Sequence, residues 1–170
     1  MSLTRRNLLL SGVAVGAALA SSNIAVMAAG QELTLGVVGV LSGPAAQWGL
    51  ALRGAVELVA AEANRDGLIK IDGAPCKVNV VAIDSKYTAE GAAAAANTLA
   101  GQGVKFIIGP IGSPELTGVK PIAKRNSMLV MGNGYAKDAL SPQLPLVFHM
   151  GPGPSGWADP SSRSPSRNSA

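Results

Sequence analysis

Three glycine-containing loops hold the side chains best suited to bind a small polar molecule. Each loop follows a short apolar segment, and together they offer aromatic rings, a hydroxyl, an amide and accessible backbone N–H groups. The candidate ligand-binding residues are Trp48, Gly112, Ser113, Asn133, Gly134 and Tyr135. These groups form hydrogen bonds and apolar contacts, so the pattern predicts a binding site.

The second loop gives the strongest chemical signal. Ser113 is followed by Pro114 and Glu115, and a serine cap, an early proline and an early acidic residue are typical of a helix start. A helix N-terminus presents unpaired N–H groups and a partial positive charge, so a carboxylate is the ligand group expected there. The local pattern leaves two roles for Ser113, as a cap for its own helix or as a ligand contact, and one hydroxyl can serve both.

The first and third loops contribute aromatic residues. Trp48 and Tyr135 are expected at the same edge of the fold, where an amphipathic ring can line a pocket with its polar end in water. Packing against the first helix is the alternative for Trp48. Asn133 lies between two glycines, so an unusual backbone angle is its simplest explanation. His149 has no acidic or cysteine residue beside it, which favours a structural histidine over a catalytic one.

Catalytic and metal-binding motifs are not matched. The glycines after the first strand do not have the G-x-G-x-x-G spacing, no Walker loop occurs, and Ser113 lacks the G-x-S-x-G frame. Cys76 is the single cysteine, so we expect a buried apolar residue, no internal disulfide and too few ligands for zinc. The sequence therefore predicts no catalytic residue, no metal and no cofactor. A serine hydrolase built on Ser113 is the least favoured alternative.

Strands and helices alternate in the segments that must position these loops. Strands are predicted over 33–40, 77–84, 104–108, 127–131 and 146–149, and helices over 45–66, over 88–102 and from 113 onward. The alternation predicts an α/β fold with a parallel sheet covered by helices on both faces. Ligands bind such a sheet outside the carboxyl ends of its strands, which is where the three loops are expected.

Several local features refine these elements. The first helix should carry an apolar stripe on one face, made of Leu52, Val56, Val59 and Ala63. The third helix should kink or end near Pro121, since proline lacks the N–H that the helix requires. Two further features are a turn around Asp72 and Gly73 and a solvent-exposed ion pair between Asp84 and Lys86.

The two ends of the chain are set apart from the fold. Arg5 and Arg6 precede the apolar stretch 8–20, which is shorter than the roughly twenty residues of a membrane span. Residues 1–29 are therefore interpreted as a twin-arginine-like export signal, which predicts a periplasmic or cell-envelope exterior location. An uncleaved anchor is the alternative. In residues 151–170, thirteen of twenty are Gly, Pro or Ser, which predicts a disordered tail.

The charge of the central segment is nearly balanced. The formal net charge of the chain is +4, but four of its fourteen Lys and Arg residues lie outside 30–150, where ten basic residues face nine acidic ones. This segment has no basic stripe with interleaved aromatic residues, so a nucleic-acid partner is not expected.

Within residues 32–150 the sequence resembles the leucine/isoleucine/valine-binding protein family, the type I periplasmic solute-binding proteins of ABC importers. The motifs that carry the resemblance are LTLGVVGVLSGPAAQWGLALRGAVELVAAEANRDG, VVAIDSKYTAEGAAAAANTLAGQGVKFIIGPIGSPE and LVMGNGYAKDAL. The resemblance implies a clamp of two lobes that closes on a small ligand, an amino acid or amide, and delivers it to an inner-membrane ABC permease.

The resemblance also implies roles for the three loops. In such proteins the first lobe holds the carboxylate and ammonium groups of an amino acid through the loops at Gly112 and Ser113 and at 133–135, with Trp48 near the ligand side chain. Tyr135 replaces the family's hydroxyl residue, which leaves another amino acid, an amide or urea open as the ligand. The family continues well beyond this pattern, so residues 30–150 are interpreted as a partial N-terminal lobe of a truncated chain. An inert fragment is the alternative.

Overall fold

The structure is a computed structural model that describes residues 31–136 and 138–151. The predicted export signal and all but the first residue of the predicted tail lie outside these residues. Within the described ranges, no helix has the length and hydropathy of a membrane span.

Strands and helices alternate along the described chain, as the sequence predicts. The strands are β1 (Gln31–Gly39), β2 (Lys70–Ile71), β3 (Ala74–Asp84), β4 (Phe106–Ile108), β5 (Leu129–Gly132) and β6 (Val147–His149). The helices are α1 (Ala46–Asp66), α2 (Ala89–Gly101) and α3 (Ser113–Asn126). The strands form a sheet with the order β2-β3-β1-β4-β5-β6. The fold is therefore α/β with a mostly parallel sheet.

The pairing of the strands explains why their sequences are so apolar. β1, β4, β5 and β6 pair in parallel, while β2 and β3 form an antiparallel hairpin. Ile107 of β4 is in register with Val130 of β5, which is in register with Val147 of β6, and all three are buried. Parallel strands in the centre of a sheet bury side chains on both faces, so near-continuous apolar runs are expected there.

Helices α2 and α3 cover one face of the sheet and enclose the core. The core combines the alanines of α2 with larger side chains such as Leu99 and Leu116, which are almost fully buried. Small residues let the two helices approach closely. A Cβ atom at Gly118 of α3 would lie only 2.0 Å from the carbonyl oxygen of Ala89. Burying a leucine side chain of this kind stabilises the fold by about 1.5–3 kcal/mol.

Helix α1 lies against the opposite face and packs mainly on β3. Its buried residues are Gly49, Ala60 and Ala63, while Val59 is 63% exposed. Val56, Val59 and Ala63 of the predicted stripe line one groove, so their common face is confirmed, and Val59 stays exposed within that groove. The larger side chains of α1 instead border an apolar groove of about 450 Å³, which also includes Leu33 and Leu35 of β1.

Beyond this groove, the same face of the sheet carries exposed apolar side chains. Phe106, Met131 and Phe148 are 37%, 38% and 47% exposed. Met131 and Phe148 are in register with Ile108, on the side of the strands opposite to the core residue Ile107. The α1 face of the sheet is therefore less completely covered by described residues than the face packed on α2 and α3.

The helix ends mostly follow the local chemistry of the sequence. The Thr88 hydroxyl accepts a hydrogen bond from the N–H of Gly91 at 2.9 Å and caps α2, as predicted. Gly67 ends α1 in the left-handed conformation with φ 60°. The predicted turn at Asp72 and Gly73 has positive φ at both residues, 51° and 80°, which suits a tight hairpin.

Pro121 does not end or interrupt α3, which continues to Asn126. The predicted early end of this helix was therefore wrong. Val119, Ile122 and Ala123 flank the proline and are buried in the core, while Pro121 itself is exposed. Packing on both sides of the proline holds the second half of the helix in place and outweighs the local cost of the missing N–H group.

The cap of α2 gives a direct test of this local structure. Thr88→Ala should lower the free energy of unfolding by about 1 kcal/mol, because the N–H of Gly91 loses its partner. Thr98→Ala is the matched control. Thr98 is exposed and donates its hydroxyl to Ala94 in its own helix, so alanine there should be neutral or slightly stabilising. Urea denaturation of both variants measures the difference, and equal losses would contradict the capping role.

Candidate ligand-binding site

A cavity of about 510 Å³ lies where the strands reach their carboxyl ends. Its lining residues are Val40, Ala45, Trp48, Tyr87, Ile111, Asn133 and Tyr135. They follow β1, β3, β4 and β5 or belong to the first turn of α1. The cavity therefore occupies the position where parallel sheets bind ligands, and its volume falls within the range of small-molecule sites.

The structure brings the three predicted loops together in different ways. Trp48, Asn133 and Tyr135 line the cavity. Ser113 lies behind it and joins the second loop to the third, because its Oγ accepts the N–H groups of Tyr135 at 2.8 Å and Ala136 at 3.0 Å. Contact of these residues with a ligand stays a prediction.

Ser113 does not cap α3. The N-cap is Gly112, and Ser113 is the first residue of the helix. A hydroxyl offers two acceptor sites and one donor, and the N–H groups of Tyr135 and Ala136 occupy the acceptor sites. Within the described residues, the Ser113 hydroxyl has no acceptor for its own proton. The hydroxyl can therefore still donate a hydrogen bond.

The buried carboxylate of Glu115 occupies the start of α3. Its Oε2 accepts the N–H of Gly112 at 2.8 Å, and its Oε1 accepts the hydroxyl of Ser85. Pro114 has no N–H group. The protein itself therefore uses part of the helix N-terminus that the sequence assigns to a ligand carboxylate. Burial raises the pKa of Glu115 above its usual range, although the hydrogen bonds from Ser85 and Gly112 oppose this shift.

Gly112 and Gly134 lie close to neighbouring side chains. A Cβ atom at Gly112 would lie 2.6 Å from the ring of Tyr87 and 2.7 Å from Glu115 Oε2. A Cβ atom at Gly134 would lie 2.8 Å from Cδ2 of Leu116. Neither glycine lines the cavity, so both act by letting the loops approach α3.

Asp84 organises the loop after β1. Its carboxylate accepts the N–H of Leu41 at 2.8 Å, the N–H of Lys86 at 2.9 Å and the hydroxyl of Ser42 at 2.5 Å. The predicted Asp84–Lys86 ion pair was wrong, since Lys86 contacts Asp84 through its backbone. Burial alone would raise the pKa of Asp84, but these hydrogen bonds and the positive charge of Lys86 outweigh it and lower the pKa below its usual value.

Asn133 lines the cavity and carries an unpaired acceptor in its side chain. Its φ is not positive, so the unusual backbone angle expected from its flanking glycines is absent. The backbone N–H of Asn133 donates to the carbonyl of Pro110 at 2.8 Å. Its side-chain Oδ1 is buried and has no hydrogen-bond partner among the described residues. Such an atom costs about 1–3 kcal/mol relative to a paired one, so a ligand that donates a hydrogen bond there gains affinity.

Tyr87 lines the cavity but is not among the residues singled out from the sequence. It lies in the loop between β3 and α2, directly before the cap residue Thr88. The rule that selected the other three loops applies equally to this loop, since it also follows the carboxyl end of a strand. This loop was not selected from the sequence because it lacks glycine and the neighbours of Tyr87 are polar.

His149 has the structural role that the sequence favours. Its Nδ1 lies 2.8 Å from the carbonyl oxygen of Gly151, and its Nε2 lies 3.0 Å from that of Gly134. Its ring packs edge-on against Tyr135 at a centroid distance of 5.3 Å. These contacts direct both ring nitrogens to backbone carbonyls and not to Ser113, so no serine–histidine pair supports the hydrolase alternative. The described residues also contain no cluster of three or more potential metal ligands.

Residues 32–163 match the periplasmic binding protein family. The chain belongs to this family. Membership confirms the resemblance found in the sequence, and this is a solute-binding family. A comparison with curated proteins gives no match.

Solved structures of periplasmic binding proteins share the fold of this chain. The branched-chain amino acid transporter substrate binding protein of Streptococcus pneumoniae, in complex with isoleucine, has a TM-score of 0.62 and 22% identity over 70% of this chain and 33% of its own. A possible leucine/isoleucine/valine-binding protein from Rhodopirellula baltica has a TM-score of 0.56 and 25% identity, over 61% of this chain and 27% of its own. An ABC transporter solute binding protein from R. palustris, in complex with 4-hydroxybenzoate, has a TM-score of 0.58 and 23% identity, over 70% of this chain and 31% of its own.

The similarity has a defined extent. The chain spans about a third or less of the length of these solved structures. At these identities the likeness establishes the fold of the described lobe.

The buried carboxylate of this periplasmic binding protein chain should make its stability depend on pH. Because the pKa of Glu115 is raised by folding, its contribution is fully present below the unfolded pKa and is lost as pH rises through the folded pKa. Glu115→Gln cannot ionise. Wild type should therefore lose free energy of unfolding relative to this variant as the pH rises above about 4, the usual pKa of an unfolded glutamate, as measured by urea denaturation over a series of pH values.

Asp84→Asn supplies the opposite control. The pKa of Asp84 is lowered by folding, so its contribution is present above the unfolded pKa and is lost as pH falls through the folded pKa. Wild type should lose stability relative to Asp84→Asn below about pH 4. If the stability difference between wild type and variant changed with pH in the same direction for Glu115→Gln and for Asp84→Asn, the opposite pKa shifts assigned to the two carboxyl groups would be contradicted.

Proposed function

We propose that this chain supplies ligand-binding residues of the substrate-binding component of an ABC uptake transporter, for an amino acid or a related small polar ligand such as an amide. The observation that carries the proposal is that Asn133, whose buried Oδ1 has no partner among the described residues, lines a 510 Å³ cavity at the carboxyl edge of the sheet. A buried acceptor without a partner is costly, so the site is suited to a ligand that donates a hydrogen bond.

The polar groups around the cavity suit the two ends of an amino acid. Asn133 Oδ1 would accept a hydrogen bond from the ligand ammonium group. The hydroxyl of Ser113, whose acceptor sites are occupied by backbone N–H groups, would donate to the ligand carboxylate.

The ligands of the solved relatives support a carboxylate-bearing ligand. The S. pneumoniae protein was solved with isoleucine and the R. palustris protein with 4-hydroxybenzoate, and both compounds carry a carboxylate. Tyr135 occupies the position of a smaller hydroxyl residue in the family pattern. The ligand of this chain is therefore not restricted to leucine, isoleucine or valine.

The wider transport role follows from the family and from the sequence. The proposal includes export to the periplasm through the twin-arginine-like segment 1–29 and delivery of the ligand to an inner-membrane ABC permease. An inert fragment would bind none of these ligands.

Asn133→Ala tests the proposed ligand contact. Ligands are first identified by a thermal-shift screen of the full chain with amino acids and amides, and affinities are then measured by calorimetry. The variant should bind about 10- to 100-fold more weakly, because it loses a hydrogen bond to a charged donor. Its unfolding midpoint without ligand should change little, since Oδ1 has no partner in the described structure.

Asn97→Ala is the matched control. Asn97 is exposed on α2 and donates to Ala93 in the same helix, so its removal should leave affinity unchanged. If wild type gives no shift with any ligand in the screen, the binding role is rejected and the inert fragment is favoured.

A further inference from the structure

Three aromatic rings from separate parts of the fold surround the same cavity. Trp48 comes from the first turn of α1, Tyr87 from the loop between β3 and α2, and Tyr135 from the loop after β5. They are 61%, 47% and 48% exposed. Exposed aromatic residues scattered singly need no explanation, but a group gathered around one cavity marks a binding surface.

The backbone of Tyr87 holds its ring in this group. Lys86 and Tyr87 both have left-handed conformations, with φ 54° and 59°, which is uncommon for residues other than glycine. Ser85 fixes the start of this loop, because its N–H donates to the carbonyl of Gly39 at 2.9 Å and its carbonyl accepts the N–H of Thr88 at 3.1 Å. The loop is therefore anchored on both sides of Tyr87.

Contacts of the Tyr87 ring leave one side directed to the cavity. The ring approaches Gly112 so closely that a Cβ atom there would lie 2.6 Å from it. Tyr87 also lines the cavity together with Trp48 and Tyr135. A ring supported by backbone on one side and open on the other can contact a ligand without moving far.

The charge of the cavity restricts the ligand side chain. Among the described residues, none of the lining side chains is charged. The nearby carboxylate of Glu115 is engaged by Gly112 and Ser85, so it is not available to a cationic side chain. An apolar side chain is therefore favoured, and an aromatic ring gains edge and face contacts with other rings in addition to apolar burial.

We propose that Trp48, Tyr87 and Tyr135 form an aromatic wall that selects an amino acid with an aromatic side chain, and that Tyr87 determines this specificity. The inference rests on the proposed solute-binding function and adds the class of ligand side chain. Asn133 and Ser113 would bind the ammonium and carboxylate groups of the ligand, while the aromatic wall would contact the ring of its side chain.

The test compares three ligands that share one head group. L-phenylalanine has an aromatic ring, L-cyclohexylalanine has a saturated ring of similar size, and L-isoleucine has a branched aliphatic side chain. Calorimetry with the full chain should give the highest affinity for phenylalanine, about tenfold above cyclohexylalanine, since only phenylalanine makes ring–ring contacts.

Two substitutions separate the ring of Tyr87 from its hydroxyl. Tyr87→Phe should retain the affinity for phenylalanine, while Tyr87→Ala should reduce it about tenfold and reduce the preference for phenylalanine over isoleucine. Leu58→Ala is the control, because Leu58 is an exposed apolar residue on α1 that does not line the cavity. Thermal unfolding of each variant without ligand verifies that it is folded.

The outcomes distinguish this inference from the function on which it rests. If isoleucine or cyclohexylalanine binds as tightly as phenylalanine, or if Tyr87→Ala keeps the wild-type preference, the aromatic inference is overturned and the solute-binding function remains. If another compound binds through Asn133 but phenylalanine does not, the same conclusion holds. If no amino acid or amide binds, both are rejected.

Discussion

The carboxylate of Glu115 connects the segments on which the cavity depends. It accepts hydrogen bonds from Gly112 at the start of α3 and from Ser85 after β3, and the backbone of Ser85 bonds to Gly39 at the end of β1. A buried carboxylate is costly unless it is hydrogen-bonded. The ends of β1 and β3 and the start of α3 are therefore held together, because separating them would leave this group unpaired.

This arrangement changes the roles of the residues around the site. A helix start with Ser113 and Pro114 suggests free N–H groups for an anion, yet the N–H of Gly112 is used by Glu115. The Ser113 oxygen supports the third loop through Tyr135 and Ala136. Much of the polarity at this helix start serves to assemble the loops, while Asn133 and the aromatic residues line the cavity.

The sequence predicted the features that depend on neighbouring residues. The apolar runs of β1 and β4, the cap at Thr88 and the end of α1 at Gly67 each follow from a few consecutive residues. The loops of the site were also selected correctly as belonging to one sheet edge, because Trp48, Asn133 and Tyr135 line a common cavity there.

The remaining features depend on residues that are distant in the chain. The Leu41–Asp84 and Ser85–Glu115 hydrogen bonds join residues separated by 43 and 30 positions, and no local pattern encodes such pairs. Pro121 was assigned a helix end because the buried residues around it hold the helix only in the folded core. The exposure of Val59 was not predicted, because the apolar period does not show that only small residues of α1 are buried against the sheet. Tyr87 was missed because its loop lacks glycine.

The uncovered part of the α1 face, with Phe106, Met131 and Phe148, has a further physical effect, since apolar area in water favours any contact that removes it. Sulfate and similar excluded salts strengthen that tendency, so the colloidal behaviour of the chain should depend on the choice of salt even where its ligand chemistry does not.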